Sequence, residues 1–331
     1  MLPFKIVHFA RMEHAMVEPP TDANVCLPDD VLVDELLQGT SRTFALAIPL
    51  LQGDRRRQIG LSYLLFRVAD SIEDAPECEV PVKLRLLQEL RDEVTRPHIK
   101  GNDPVAVSTH VLADLCGLWP ESSATHRLLC DVPRLLAMLN STDGSAATAI
   151  RAALSQTIDG MTRFLDSSEL SPVQIQIQTV QDLRAYCYVV AGIVGEMLTD
   201  LFVSHHAVSQ DLAGTLRRLS VSFGECLQLT NILKDAESDV LNGRIFIPDG
   251  ISREAVLSLA LRATEDAKRY ICMLEMNDFP ADIVAFCQFL CLLAEGTLGR
   301  LQSAGETGKL TREEVRRLLE TVAVPSSNVL V

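Results

Sequence analysis

Apolar residues recur along this chain at intervals of three and four, the spacing that gives an α-helix one apolar side. In KLRLLQELRDEVTR, Lys83 to Arg96, that spacing predicts an amphipathic surface helix over 82–96. Glycine, proline and small polar clusters divide the remainder. Helices are predicted over 29–37, closed by Gly39, over 41–51, and over 54–75, stopped by Pro76. Further helices are predicted over 105–118, over 124–140 with a kink at Pro133, and from the loop Ser141 to Ser145 as far as Leu165. The rest of the chain gives helices over 186–202, 212–242, 253–276, 281–302 and 311–321, with a polar loop over 167–178. No stretch alternates with the two-residue period of a half-buried strand, so the expected class is all-α.

Composition and charge narrow this picture. Of 331 residues 47% are hydrophobic, enough for a substantial core. A formal net charge of -14 argues against nucleic acid as a partner, because a polyphosphate backbone calls for a clustered basic surface. Residues 1–27 mix charges and histidines into their apolar positions and read as a loosely ordered extension, and 323–331 as a short tail. No uninterrupted apolar run reaches the roughly 18 residues of a membrane span, so a cytoplasmic protein is expected, peripheral at most to the inner face of a membrane. The nine cysteines are scattered through mostly apolar helical runs without a C-x-x-C pair and read as reduced core residues.

Two acidic clusters carry the candidate chemistry. Asn231, Asp235 and Asp239 stand at i, i+4 and i+8, so on a helix their side chains stack on successive turns. Asp70, Glu73 and Asp74 form a second stripe, with Tyr63 and Arg67 on the same face. Their oxygens are hard ligands suited to Mg2+, which usually shares its shell with substrate phosphates. The plain alternatives are a solvated helix face, and for Arg67 a simple ion pair with Asp70 or Asp74. Ser41 and Arg42, at the start of an apolar helix, suit phosphate oxygens or an ordinary helix cap. Ala191, Gly192 and Gly195 allow a neighbouring helix or a long ligand to approach the backbone, with the Tyr186 and Tyr188 hydroxyls nearby. Phe286 and Phe289 belong to an apolar face that suits either a core or a tunnel for a long apolar ligand.

SRTF, YLLFRVADSIEDAP, YCYVVAGIVGEMLTDLF, LQLTNILKDAESDVLNGRIFIP and FCQFLCLLAEGTL occur in that order between Ser41 and about Leu319. In these motifs the chain resembles the squalene and phytoene synthase family, and bacterial squalene synthases in particular. The resemblance implies a class I isoprenoid synthase fold, with residues 28–322 forming a single helical domain around a central cavity. It implies Mg2+ held by Asp70, Glu73, Asp74, Asn231, Asp235 and Asp239. It implies prenyl diphosphate contacted by Ser41, Arg42, Tyr63, Arg67, Gln228 and Tyr270. Tyr186 matches a position that assists proton removal, and Phe286 an aromatic beside the later carbocation. The implied reaction joins two farnesyl diphosphates to presqualene diphosphate and reduces it with NADPH to squalene. Arg244 also matches a diphosphate-contacting position, and NADPH would be held by scattered basic groups such as Lys234, Arg244 and Lys309. The chain departs from the pattern at Ser238, where an acid is common, and at Lys234, where arginine is common. It also lacks a G-x-G-x-x-G fingerprint. A synthase that omits hydride transfer and makes dehydrosqualene, hydroxysqualene or phytoene is the alternative, with a non-catalytic helical partner protein behind it.

Overall fold

The computed structural model describes residues 29–75, 78–96, 109–166, 175–204, 206–303 and 308–322. The expectations for 1–27, for most of the 167–178 loop, for Pro76 and for the tail after Val322 lie outside the described residues. The chain forms α1 (Asp29–Thr40), α2 (Phe44–Ala47), which runs into a 3-10 turn at Ile48–Leu50, and α3 (Gly53–Glu73). It continues through α4 (Val80–Thr95), α5 (Thr109–Gly117), α6 (Ala124–Cys130), α7 (Val132–Ser141) and α8 (Gly144–Asp166). After a two-residue strand β1 (Ile175–Gln176), α9 (Val180–Cys187) passes through one π turn, Tyr188–Gly192, into α10 (Ile193–Ser204). Then follow α11 (Gln210–Leu241), β2 (Arg244–Ile245), α12 (Arg253–Met276), α13 (Ala281–Gln302) and α14 (Arg312–Val322). The expected all-α class holds.

The core is organised on α11, which packs on α10, α12 and α13, while α3 packs between α1, α4 and α8. Ser209 starts α11 by accepting a hydrogen bond from the Leu212 N–H at 3.2 Å. Gly243, at φ 71°, ends it, because a left-handed residue turns the chain out of the helix. Arg244 and Ile245 then pair in parallel with Ile175 and Gln176. The Ile175 N–H donates to the Gly243 carbonyl at 3.3 Å, and the Ile177 N–H to the Ile245 carbonyl at 2.9 Å. This short ladder fixes the residue that follows the turn.

The small residues of the π turn and α10 serve helix packing. A Cβ on Gly195 would stand 2.2 Å from the Ser220 carbonyl oxygen of α11, and one on Gly224 2.2 Å from the Ala191 carbonyl oxygen. The two backbones therefore touch along a glycine seam.

Three expectations are corrected. Pro133 does not kink a continuous helix: the helix breaks at Asp131, and Pro133 sits in the first turn of α7, where its missing N–H has no partner to lose. Cys116 and Cys130 are paired rather than reduced, with their α carbons 5.4 Å apart across the α5–α6 hairpin. Two helices, Val180–Ser204 and Ala281–Gln302, are long and apolar enough to cross a membrane, against the expectation of none. Their most apolar 18-residue windows are 72% and 67% buried inside the protein, so their few charges reflect a core position.

Candidate active site

Along α3 every residue from Gln58 to Glu73 except Arg67 is buried. The first acidic stripe consequently lies at the inner end of a core helix. Asp70 is fully buried and accepts from Arg67 Nη1 at 2.9 Å. Asp74 caps the C-terminus of α3, where the ladder-anchored Arg244 reaches it: Nη1 donates to Asp74 Oδ1 at 2.7 Å. Arg244 Nη2 donates to Asp239 Oδ1 of α11 at 3.3 Å. One guanidinium thus joins the two acidic stripes that the helical spacing predicted, and they do face each other. Burial works against the charge on Arg244, but Asp74 and Asp239 outweigh it and hold its pKa above the usual value.

The rest of the second stripe is managed on its own helix. Lys234, its side chain 2% exposed, donates to Asn231 Oδ1 at 2.9 Å and lies 3.3 Å from Asp235 Oδ2. Burial lowers its pKa and Asp235 opposes the shift. Among the described residues no three His, Cys, Asp or Glu side chains form a ready-made metal cage. The donors nevertheless suit Mg2+, which is commonly held by one or two carboxylates together with substrate phosphates. Asp74 and Asp239 already share one cationic group.

Tyr186 is fully buried between Phe164 and Phe246, with ring centroids 5.1 and 5.0 Å away. Among the described residues its hydroxyl has no hydrogen-bond partner. Burial, followed by the negative charges of Glu73, Asp74 and Asp70, pushes its pKa well up. The Ser41 hydroxyl accepts from the N–H of Phe44, the first residue of α2, at 2.8 Å. Phe44 stacks on Tyr63 at 4.8 Å and lies 6.5 Å from Phe286, which in turn lies 6.5 Å from Phe202. A row of rings therefore runs from the polar end into the apolar interior.

Other predicted residues stand apart. The Tyr270 hydroxyl pairs with Thr199 Oγ1 at 2.8 Å and its ring meets Phe223, so it belongs to the core behind α11 and not to the acidic cluster. Gln228 is fully buried, Arg42 is exposed, and Lys309 is exposed with its carbonyl accepting from Arg300 at 2.9 Å. The Lys309 charge still reaches Lys234, helping to lower its pKa.

Lys83 was missed. The helix that carries it was expected at the surface, yet Lys83 is fully buried and donates to the Glu73 carbonyl at 2.7 Å. It thereby satisfies one of the last carbonyls of α3, beside Asp74. Burial lowers its pKa, opposed by Asp74 and Glu73. The signal was available: Lys83 falls on the same face as Leu86, Leu87, Leu90 and Val94, which are all buried. Lys83→Met, similar in length but without the charge, should lower unfolding stability by about 2 kcal/mol, the worth of a charged hydrogen bond. Urea denaturation checks this, and a change below about 0.5 kcal/mol would leave Lys83 without a role at the α3 terminus.

A profile of the squalene/phytoene synthase family matches residues 37–320. The squalene synthase ERG9 of Saccharomyces cerevisiae is 30% identical over 219 residues, 66% of this chain and 45% of that protein. The squalene synthase of Cyberlindnera jadinii is 27% identical over 268 residues, 80% of this chain and 56% of that one. The chain thus spans about half the length of these curated relatives. A solved TcSQS complex with the ligand E5700 superimposes with a TM-score of 0.74 at 22% identity, covering 89% of this chain and 86% of the other, which supports the fold. With the match running from the end of α1 to the last turn of α14, the chain belongs to the squalene/phytoene synthase family.

Proposed function

We propose that this protein is a squalene synthase, condensing two farnesyl diphosphates head to head into presqualene diphosphate and reducing that with NADPH to squalene. The observation that carries the reading is the meeting of Asp74 and Asp239 on Arg244, beside a buried Tyr186 and a row of rings leading inward. Asp70, Glu73, Asp74, Asn231, Asp235 and Asp239 would hold Mg2+, which supplies charge to stabilise a departing diphosphate. Ser41, Arg42, Tyr63 and Arg67 would contact the diphosphate. Phe44, Phe202 and Phe286 shape a dry interior for the farnesyl chains and shield a carbocation from water. Tyr186 is a neutral phenol at physiological pH, since burial and the acids raise its pKa. It can therefore relay a proton only to an acceptor that enters with the substrate, such as an oxygen of the departing diphosphate.

Of the three basic residues on the NADPH side, Lys309 is exposed, whereas Lys234 and Arg244 are occupied by carboxylates. A cytoplasmic enzyme releasing its product through peripheral contact with a bilayer fits the exposed Val240 and Leu241, 56% and 87% accessible beside Asp239. The test is incubation with farnesyl diphosphate and Mg2+, with and without NADPH, followed by identification of the hydrocarbon. Squalene only with NADPH is the expected outcome. Dehydrosqualene, hydroxysqualene or phytoene regardless of NADPH would remove the reductive half. No product from any prenyl diphosphate would leave a helical partner protein.

A further inference from the structure

We propose that Arg244 is a resident counter-ion that clasps the two acidic motifs in the metal-free protein and must exchange carboxylate for phosphate when a metal-diphosphate enters. The inference rests on the functional reading above and adds a coupling between the metal and the diphosphate. Asp74 and Asp239 have side chains only 13% and 3% exposed, and they come from helices far apart in sequence. A buried carboxylate and a half-buried one held toward one another repel, and a buried charge without a partner is strongly destabilising. The guanidinium between them, itself 9% exposed, removes that penalty with bonds of 2.7 and 3.3 Å.

Its placement is built in. Gly243 at φ 71° and the ladder to Ile175 and Ile177 fix the Arg244 backbone, so the clasp does not depend on a wandering surface side chain. Among the described residues its Nε has no hydrogen-bond partner although it is buried, leaving a donor in reserve. A planar fork with a spare donor is suited to phosphate oxygens. A divalent cation arriving alone competes with Arg244 for Asp74 and Asp239 and would leave Arg244 buried and repelled. A cation arriving with a diphosphate brings the oxygens to which Arg244 can turn, so no charge is stranded. Arg244 consequently makes the two ligands bind as a unit, and by linkage each raises the affinity for the other.

Mn2+ binding to the purified full chain, read from the free-ion electron paramagnetic resonance signal with and without inorganic pyrophosphate, tests this together with melting in EDTA. The wild type should bind Mn2+ alone weakly and about tenfold more tightly with pyrophosphate. Arg244→Gln should melt lower in EDTA, bind Mn2+ alone about tenfold more tightly than wild type, and lose most of the pyrophosphate enhancement. Unchanged or weaker binding of Mn2+ alone in the variant would overturn the clasp. Should Arg244→Gln not fold, Arg244→Lys keeps one charge but cannot grip both carboxylates, and it should show intermediate Mn2+ affinity. Wild-type affinity or weaker in that variant would overturn the proposal equally. None of these readouts needs turnover. A protein that makes squalene with unchanged Mn2+ behaviour sinks the clasp alone, and one that makes nothing yet shows the predicted gain sinks the squalene reading alone.

Discussion

Asparagine in place of Asp235 should lower turnover of farnesyl diphosphate by about 10²–10³-fold, the usual loss when one electrostatic contributor to a developing charge is removed. The substitution preserves size and keeps an oxygen facing Lys234, which lies 3.3 Å from Asp235 Oδ2. The side chain is 19% exposed, so water can solvate the new amide and the fold should tolerate it. What disappears is one negative charge from the second stripe. Asp70 is a less clean choice, since it is fully buried against Arg67 and its loss would strand a guanidinium. The measurement is product formation at saturating Mg2+ and substrate, with a thermal melt to show that the variant is folded. Turnover within threefold of wild type in a folded variant would exclude Asp235 from the metal.

Much of this site can be read in the chain before any coordinates, because local rules set the relevant features. The α12 and α13 boundaries follow from local signals: Ser252 accepts from the Ala255 N–H at 3.2 Å to start α12, and α13 begins directly after Pro280. The acidic stripes follow from four-residue spacing on long helices. Lys83 escaped for the opposite reason, since a charged residue in an apolar position reads as surface until a distant carbonyl is seen to receive it. The π turn at Tyr188–Gly192 has no local mark within a uniformly apolar run, where a continuous α-helix satisfies the same pattern. Pairing of Ile175 with Arg244 is long-range, and two residues are too few to show a strand period. Tyr270 matched a family motif, but its hydroxyl pairs with Thr199 and never reaches the acids. Motif position alone does not say which way a buried ring is turned.

The same limit applies to the small residues of α10 and α11, where the sequence left packing and ligand approach open and the structure chooses packing. Gly224→Ala should destabilise the protein by about 3 kcal/mol or more, at or beyond the upper end of ordinary overpacking. In an open helix the sign would be reversed, because alanine is better than glycine in a helix interior by up to about 1 kcal/mol. Here the new Cβ would lie 2.2 Å from the Ala191 carbonyl oxygen, and that obstacle is backbone, which cannot rotate aside. Relief requires α11 to move away from the π turn by about 1 Å, opening a dry interface along its length. Gly214, on the same helix, supplies the internal control: its nearest neighbour would be Arg218 Nη1 at 3.7 Å, the end of a flexible chain. Gly214→Ala should therefore stabilise by about 0.5–1 kcal/mol. Urea denaturation of the two variants side by side measures both signs. A Gly224→Ala protein as stable as wild type would mean that the seam has slack and that the helix spacing is set elsewhere. A large loss would show that this seam fixes the distance of α11, with Asn231, Asp235 and Asp239 on it, from the helices that carry the other half of the site.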